Sequence, residues 1–173
     1  MADASLPGPN TAFTAKEFRS ALGAFATGVT VITSQAGDSP YGMTANAFTS
    51  LSLDPPLILV CVKGGTDGCR TIEENGVFAV NVLGAGQEPI SRYFSSKDRP
   101  RGREAFKEIS HRGGASGSPI LDGVAAYIDC RVTAQHAAGD HVIFIGEVQA
   151  LGVDPGVPPL LFHHGKYRQI SEG

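Results

Sequence analysis

Apolar residues in this chain recur mainly at strand spacing. Val29-Thr-Val-Ile-Thr33 is β-branched throughout and predicts a strand. Gly37-Asp38 is a turn signal, so that strand is expected to return as a hairpin. From Ala47 to Leu53 the pattern alternates, with Phe48, Ser50 and Ser52 on one face and Thr49, Leu51 and Leu53 on the other. Asp54-Pro55-Pro56 breaks it. Leu57 to Val62 (LILVCV) is continuously apolar, which predicts a strand buried on both faces. Val77–Leu83 (VFAVNVL), Val124–His136, His141–Leu151 and Leu160–Tyr167 complete the set of expected strands.

Helical signals are fewer. Thr14-Ala-Lys-Glu17 is a capping-box pattern, and Phe18, Leu22 and Phe25 follow at helical spacing. They predict a helix over about 15–26, closed near Gly28. Thr66–Asn75, capped by Thr66 and ended by Gly76, reads as a short helix, and Glu88–Phe94 as another. Residues 95–118 are polar and Gly-rich, as in a long loop. Residues 1–13 are rich in Pro and Gly and read as a flexible N-terminal arm before one domain over 14–173. Many short strands with few, peripheral helices point to a closed antiparallel barrel or a sandwich.

Composition narrows the function classes. A length of 173 residues suits one domain. The net charge of −3 and the absence of a Lys/Arg run argue against a nucleic-acid partner. The densest basic stretch, Lys97–Arg103 (KDRPRGR), holds Pro and Gly and reads as a solvated loop. Cys61, Cys69 and Cys130 are an odd number without CxxC spacing, unlike a disulfide framework or structural zinc site. Cys61 and Cys130 lie in apolar runs and read as inert core thiols. No apolar run approaches membrane-spanning length, and the first ten residues have no signal-peptide pattern. The expected compartment is the cytoplasm, with no membrane partner and no metal.

The common nucleotide and hydrolase fingerprints are missing. Gly84-Ala-Gly86 lacks the third glycine of a dinucleotide loop, and Gly113–Gly117 lacks a P-loop lysine. What remains is a polar, small-residue segment, Gly42–Pro56 (GMTANAFTSLSLDPP), beside a very apolar one. Small residues let backbone approach a flat ring, while hydroxyls and free N–H groups suit carbonyls and phosphate. Ser and Thr also fill strands for steric reasons alone, so composition by itself leaves a structural reading open.

The order of the segments adds more. FRSALGAFATGVTVIT, YGMTANAFTSLSLDPPLILVCV, FAVNVL, SPILDGVAAYIDCRV, AGDHVIFIGEV and PLLFHHGKYR follow one another from about Phe18 to Tyr167. In this order they resemble the short-chain flavin reductase family, the reductase components of two-component flavin-dependent monooxygenases. The resemblance implies an antiparallel, Greek-key split β-barrel that binds FMN, and a homodimer. It further implies hydride transfer from NADH to FMN or FAD, with reduced flavin passing to a separate monooxygenase. NADPH stays open as donor, although no Arg pair marks a 2′-phosphate.

By position, the resemblance places Gly42, Met43, Thr44, Asn46 and Ala47 against the flavin ring and ribityl chain, and Ser52 near its polar tail. It places Cys61, Val62 and Lys63 beside ring and phosphate, with Thr66, Asp67, Gly68 and Cys69 at the phosphate-side turn. Tyr93 and Phe94 match a pair that reaches toward the flavin. Asp140 and His141 match the GDH element at the nicotinamide, and His164 to Tyr167 the closing segment beside it. His141 is the candidate catalytic residue, as a positioner of the nicotinamide and not as a base. His163 and His164, adjacent on one strand, are expected to face opposite sides. Asn81 reads as a satisfied buried amide. Asp67 departs from the family pattern, since a carboxylate repels phosphate. Two rivals remain at this point: a flavin-binding carrier without reductase activity, and an oxidase of the pyridoxamine-phosphate type.

Overall fold

A computed structural model of the chain describes residues 12–170. The arm expected at 1–13 therefore lies almost wholly outside the described residues, as does the end of the expected domain. The helix α1 (Ala15–Gly23) begins at the predicted capping box: the Glu17 carboxylate accepts from the Thr14 backbone N–H, and the Thr14 hydroxyl accepts from Glu17 N. There follow β1 (Thr27–Gly28), β2 (Thr30–Ala36), β3 (Ser39–Ala45), β4 (Phe48–Leu53) and β5 (Pro56–Lys63). Then come α2 (Asp67–Asn75), β6 (Val77–Val82), α3 (Glu88–Ser95), β7 (His111–Gly113) and β8 (Pro119–Leu121). The long β9 (Ala126–Ala138) and β10 (His141–Val153) and the short β11 (Leu161–His163) and β12 (Lys166–Arg168) end the described chain.

Seven strands form one sheet in the order β3-β2-β6-β9-β10-β5-β4, with every pairing antiparallel. Its two edges, β3 and β4, are neighbours in sequence, joined only by Asn46 and Ala47. Laid flat, seven strands would set these edges about 29 Å apart at ~4.8 Å per gap. The three Cα steps from Ala45 to Phe48 reach at most about 11 Å. The sheet therefore has to curl until its edges meet, and no ladder bonds join them across the seam. This is the expected split barrel.

Alternation along β2 builds two cores. Ile32 packs with Ile58, Val60, Val62, Phe78, Val80, Cys130 and Phe144, and α2 adds Cys69 and Ile72. Val29 and Val31 pack on the opposite side with Leu83, Phe94, Phe106, Leu121 and Leu160. Asn81 is the satisfied amide expected: it donates to Val31 O and Thr33 Oγ1, and accepts from Leu121 N. The buried Asp129 pins the turn before β8, accepting from the backbone and hydroxyl of Ser116. Burial, and after it the charge of the neighbouring Asp129, pushes the Cys130 thiol up to about 12, so that thiol is inert as expected.

Several expectations change. β5 is not buried on both faces. Ile58, Val60 and Val62 are buried, while Leu57, Leu59 and Cys61 are half-buried, because a barrel strand has a single interior side. Cys61 is thus no core thiol. Helix α1 buries none of its residues, leaving Phe18 and Leu22 exposed with Phe25 beyond its end. The stretch 95–118 is not one loop. It holds a 3-10 turn at Gly102–Phe106 and strand β7, because Ala105 and Phe106 anchor it in the second core. The closing strand is a hairpin of β11 and β12 turned at His164-Gly165, both with positive φ. His163 and His164 therefore do not oppose each other across a strand, and their rings lie 4.2 Å apart.

Gly146 is closely packed against the first core. A Cβ there would sit 2.6 Å from the Phe78 ring and 2.8 Å from Cys130 Cβ. Gly146→Ala should therefore destabilise the protein by about 1–3 kcal/mol, the cost of overpacking. Urea denaturation should show a lower midpoint with an unchanged slope.

Candidate flavin site at the barrel seam

A cleft of about 400 Å³ opens at the seam, within the range of small-molecule sites, ~300–1,000 Å³. Its position follows from the closure. Met43, Thr44 and Ala45 come from the end of edge strand β3, and Asn46 and Ala47 from the link itself. Cys61, Val62 and Lys63 come from the end of β5, and His141 from the start of β10, where it pairs with Lys63. Phe94 of α3 and the residues that follow it, Ser95 to Lys97 and Arg99, form the other wall.

The seam backbone is locally specified. Phe48 N donates to Asn46 O at 3.0 Å, a tight reversal, and Cys61 N donates to Ala47 O at 3.0 Å. The Thr44 hydroxyl donates to Ser91 O, tying β3 to α3, and the Asn46 amide donates to Thr27 Oγ1. As an edge strand, β3 presents unpaired N–H and C=O groups toward the seam at alternate residues. The Thr66 hydroxyl donates to Lys63 O and accepts from Cys69 N, so it caps α2 and ties the turn after β5. Gly68 lies directly beneath Tyr41 and Met43. A Cβ there would stand 2.7 Å from Met43 Sδ, so glycine lets the first turn of α2 close against β3.

Charge is divided along the cleft. One side is small and neutral, at Thr44 and Ala45, which also line an adjoining cavity; the other carries Lys97 and Arg99, which line a second adjoining cleft, and Lys63 stands beside His141. Asp67 does not face this cleft freely. Its two carboxylate oxygens are taken by Arg70 and Arg101. His141 stands at the rim, where its Nδ1–H donates to Asp140 Oδ1 at 2.8 Å. That bond and the imidazole charge hold the exposed Asp140 carboxyl below the usual carboxylate range. The carboxylate is therefore charged at neutral pH, and its grip on His141 is lost only as pH falls through that lowered value.

The structure gathers ten of the expected site residues around the cleft: Met43, Thr44, Asn46, Ala47, Cys61, Val62, Lys63, Thr66, Phe94 and His141. Gly42 lies behind it against Phe94, with its carbonyl accepting from Arg99. Tyr167 lines an adjoining cavity with Thr44 and Asn46, its hydroxyl 2.8 Å from Ser91 Oγ. Four residues fall elsewhere. Ser52 pairs with Leu57 near the far end of β4, on the other side of a bulge from the seam. Tyr93 packs behind Phe94, ring against ring, and its hydroxyl donates to Ala105 O. His164 sits in the β11–β12 turn, its backbone N–H bonded to Gly23 O beside α1. Cys69 is buried in the first core.

Sequence reasoning missed Tyr41, Ala45, Ser95, Ser96, Lys97 and Arg99. The signal for the two cations was present in KDRPRGR, but average polarity does not reveal that the segment folds back over the seam.

Comparison with known proteins agrees with this architecture. Residues 22–171 match the family model described as flavin reductase like domain. The reductase subunit HsaB of a flavin-dependent monooxygenase from Mycobacterium tuberculosis is 43% identical over 158 residues, covering 90% of this chain and 82% of that protein. An NADH-dependent flavin reductase from Rhodococcus is 40% identical over 156 residues, covering 88% and 85%. The solved Streptomyces globisporus NADH:FAD oxidoreductase SgcE6, in complex with NAD and FAD fragments, superposes with a TM-score of 0.84 at 38% identity, covering 90% of this chain and 92% of that one. With the split barrel, the seam cleft and these relatives in agreement, the chain belongs to the flavin reductase-like domain family.

Proposed function

We propose that the chain is an NADH-dependent flavin reductase that takes FMN or FAD in the seam cleft and supplies reduced flavin to a separate monooxygenase. The observation that carries this reading is the cleft's gradient, from small neutral strand residues at one end to uncompensated cations at the other. A flavin has the matching gradient, a flat ring joined to an anionic tail. The residues fit it: Ala45 and Ala47 leave room for a ring, and β3 edge groups offer hydrogen bonds to ring carbonyls and nitrogens. Lys63, Lys97 and the capped start of α2 at Thr66 suit the phosphate. When bound, flavin and reduced nicotinamide supply the redox chemistry, a hydride passing between them.

The chain's own task is placement. Phe94 and Val62 wall the cleft, and the tie of Thr44 to α3 fixes its width. Asp140 holds the His141 ring in one orientation at the rim, where His141 orients the nicotinamide. Gly42, Met43, Asn46, Cys61 and Tyr167 complete the proposed binding surface, with Gly68 and Asp67 supporting its phosphate end. Ser52, Tyr93 and His164 are not retained in it.

A homodimer is part of the proposal. Phe18, Leu22 and Phe25 are 51%, 59% and 77% exposed, an apolar face that nothing in the single chain covers among the described residues. Leu53, Leu151 and Val153 are exposed at one end of the sheet. The three free cysteines suit a reducing compartment, the cytoplasm.

Three outcomes are expected. Anaerobic mixing of the protein, flavin and excess NADH should bleach the oxidised flavin's visible absorbance; persistence of that absorbance would return the chain to the carrier class. His141→Ala should raise the Michaelis constant for NADH about tenfold, the worth of one good hydrogen bond, while flavin affinity changes by less than about twofold. Unaltered NADH kinetics would remove His141 from that role. Light scattering should give twice the 18.0 kDa chain mass, and Phe18→Asp with Leu22→Asp should shift it toward one.

A further inference from the structure

Residues 95–104 form one wall of the seam cleft and differ from its other walls. The segment begins where α3 ends at Ser95 and runs into the 3-10 turn at Gly102. Ser95, Ser96, Lys97 and Arg99 line the cleft. At both ends the chain is anchored in the second core, by Phe94 before the segment and by Ala105 and Phe106 after it. Between these anchors no residue is buried.

Three arginines tether the segment to the barrel, in chain order. Arg99 donates to Gly42 O on β3. Arg101 pairs with Asp67 in the first turn of α2. Arg103 pairs with Asp38 in the β2–β3 turn, 2.5 Å from the carboxylate, and its Nε donates to Asp38 O at 2.9 Å. Gly102, at φ 58°, turns the chain between the last two. Among the described residues no other hydrogen bond or ion pair joins 95–104 to a strand or to α2; the rest stay within the segment or reach its immediate neighbours. Resting on the flavin reductase reading, we propose that residues 95–104 are a strap whose latches, Arg101 on Asp67 and Arg103 on Asp38, set how fast flavin enters and leaves the cleft.

The other walls are fixed. β3, β5 and β10 are held in ladders, and the link is bonded to β5 through Cys61 N and Ala47 O. Phe94 is buried. The strap has neither ladder bonds nor buried side chains, the profile of a segment that opens locally. Its outer latch is weak. The Asp38 and Arg103 side chains are 88% and 69% exposed, and an exposed ion pair shifts an equilibrium by no more than about fivefold. Arg99 gives the closed strap one seat, with its guanidinium 5.6 Å from the centre of the Tyr41 ring and 5.8 Å from that of Phe94. An enzyme that hands a bound product to a second protein must release it in every cycle, and a weakly latched wall permits this without disturbing the barrel.

Stopped-flow fluorescence of FMN binding to the full chain, with Asp38→Asn and Arg103→Gln, tests the proposal. Neither residue lines the seam cleft, and both are exposed, so the fold is not at stake. A gate changes rates in both directions and leaves affinity in place. Asp38→Asn removes the charge and keeps the backbone acceptor. It should speed association and release alike, by about threefold, with the FMN dissociation constant within about twofold of the original. Arg103→Gln removes both contacts and should speed them by about fivefold. Trypsin, acting on Asp38→Asn without ligand, should cut within 97–103 faster than in the unaltered protein. Unaltered exchange rates in both variants would overturn the strap, the more plainly if trypsin showed the segment loosened. Faster release with unaltered association would overturn it too, since the residues would then act on the bound flavin and not on a gate. In either case NADH-driven flavin reduction would continue. Failure of the unaltered protein to reduce flavin would overturn the reductase reading itself.

Discussion

The structure depends on the two-residue link between its outermost strands. Asn46 and Ala47 join edges that a flat sheet would hold far apart, and this forces the barrel to close. Closure without pairing leaves a seam. One side of the seam is the free edge of β3, and the other is the end of β5 beside the start of β10. Backbone groups there have no ladder partner, which is costly if buried dry and useful if a polar ligand covers them. The cleft is thus a consequence of topology before any side chain is considered. The side chains then refine it, small along the link and cationic beyond Thr66.

Secondary elements were largely legible because their signals are local. The capping box at Thr14, the Thr66 cap and Gly76 stop of α2, and the β-branched run of β2 each act within a few residues. Failures came where distant contacts decide. LILVCV reads as buried on both faces, yet a barrel covers only one of them fully. The Ala105-Phe106 pair inside a polar stretch is enough to fold that stretch onto the second core. His163 and His164 look like opposite faces of a strand until Gly165 turns the chain between them and Lys166.

The candidate site was legible in the same graded way. Residues on β3, the link, β5 and β10 lie around the cleft because a short motif fixes both strand and register, and register fixes side-chain direction. Tyr93 and Phe94 show the limit of a pairwise match. Adjacent on α3, their rings meet edge to face 5.1 Å apart, yet only Phe94 lines the cleft, while the Tyr93 hydroxyl donates to Ala105 O. Ser52 fails for another reason, since the bulge between Ser50 and Ser52 shifts the pairing at that end of β4.

Asp67 looked like the greatest difficulty for an anionic ligand, and the structure gives it the opposite effect. Alone at the start of α2 it would oppose a phosphate. Both of its oxygens are bonded, one by Arg70 and one by Arg101, and the second pair links the 97–101 segment to the start of α2. The cleft beside Asp67 is also lined by Lys97, Arg99 and Arg101, so cations outnumber the one carboxylate there. The sign of a single residue is therefore a poor guide to the field at a site. What matters is which charges are paired with each other and which remain for a ligand. Here Lys63, Lys97 and Arg99 line the seam cleft, and none of them pairs with a carboxylate among the described residues.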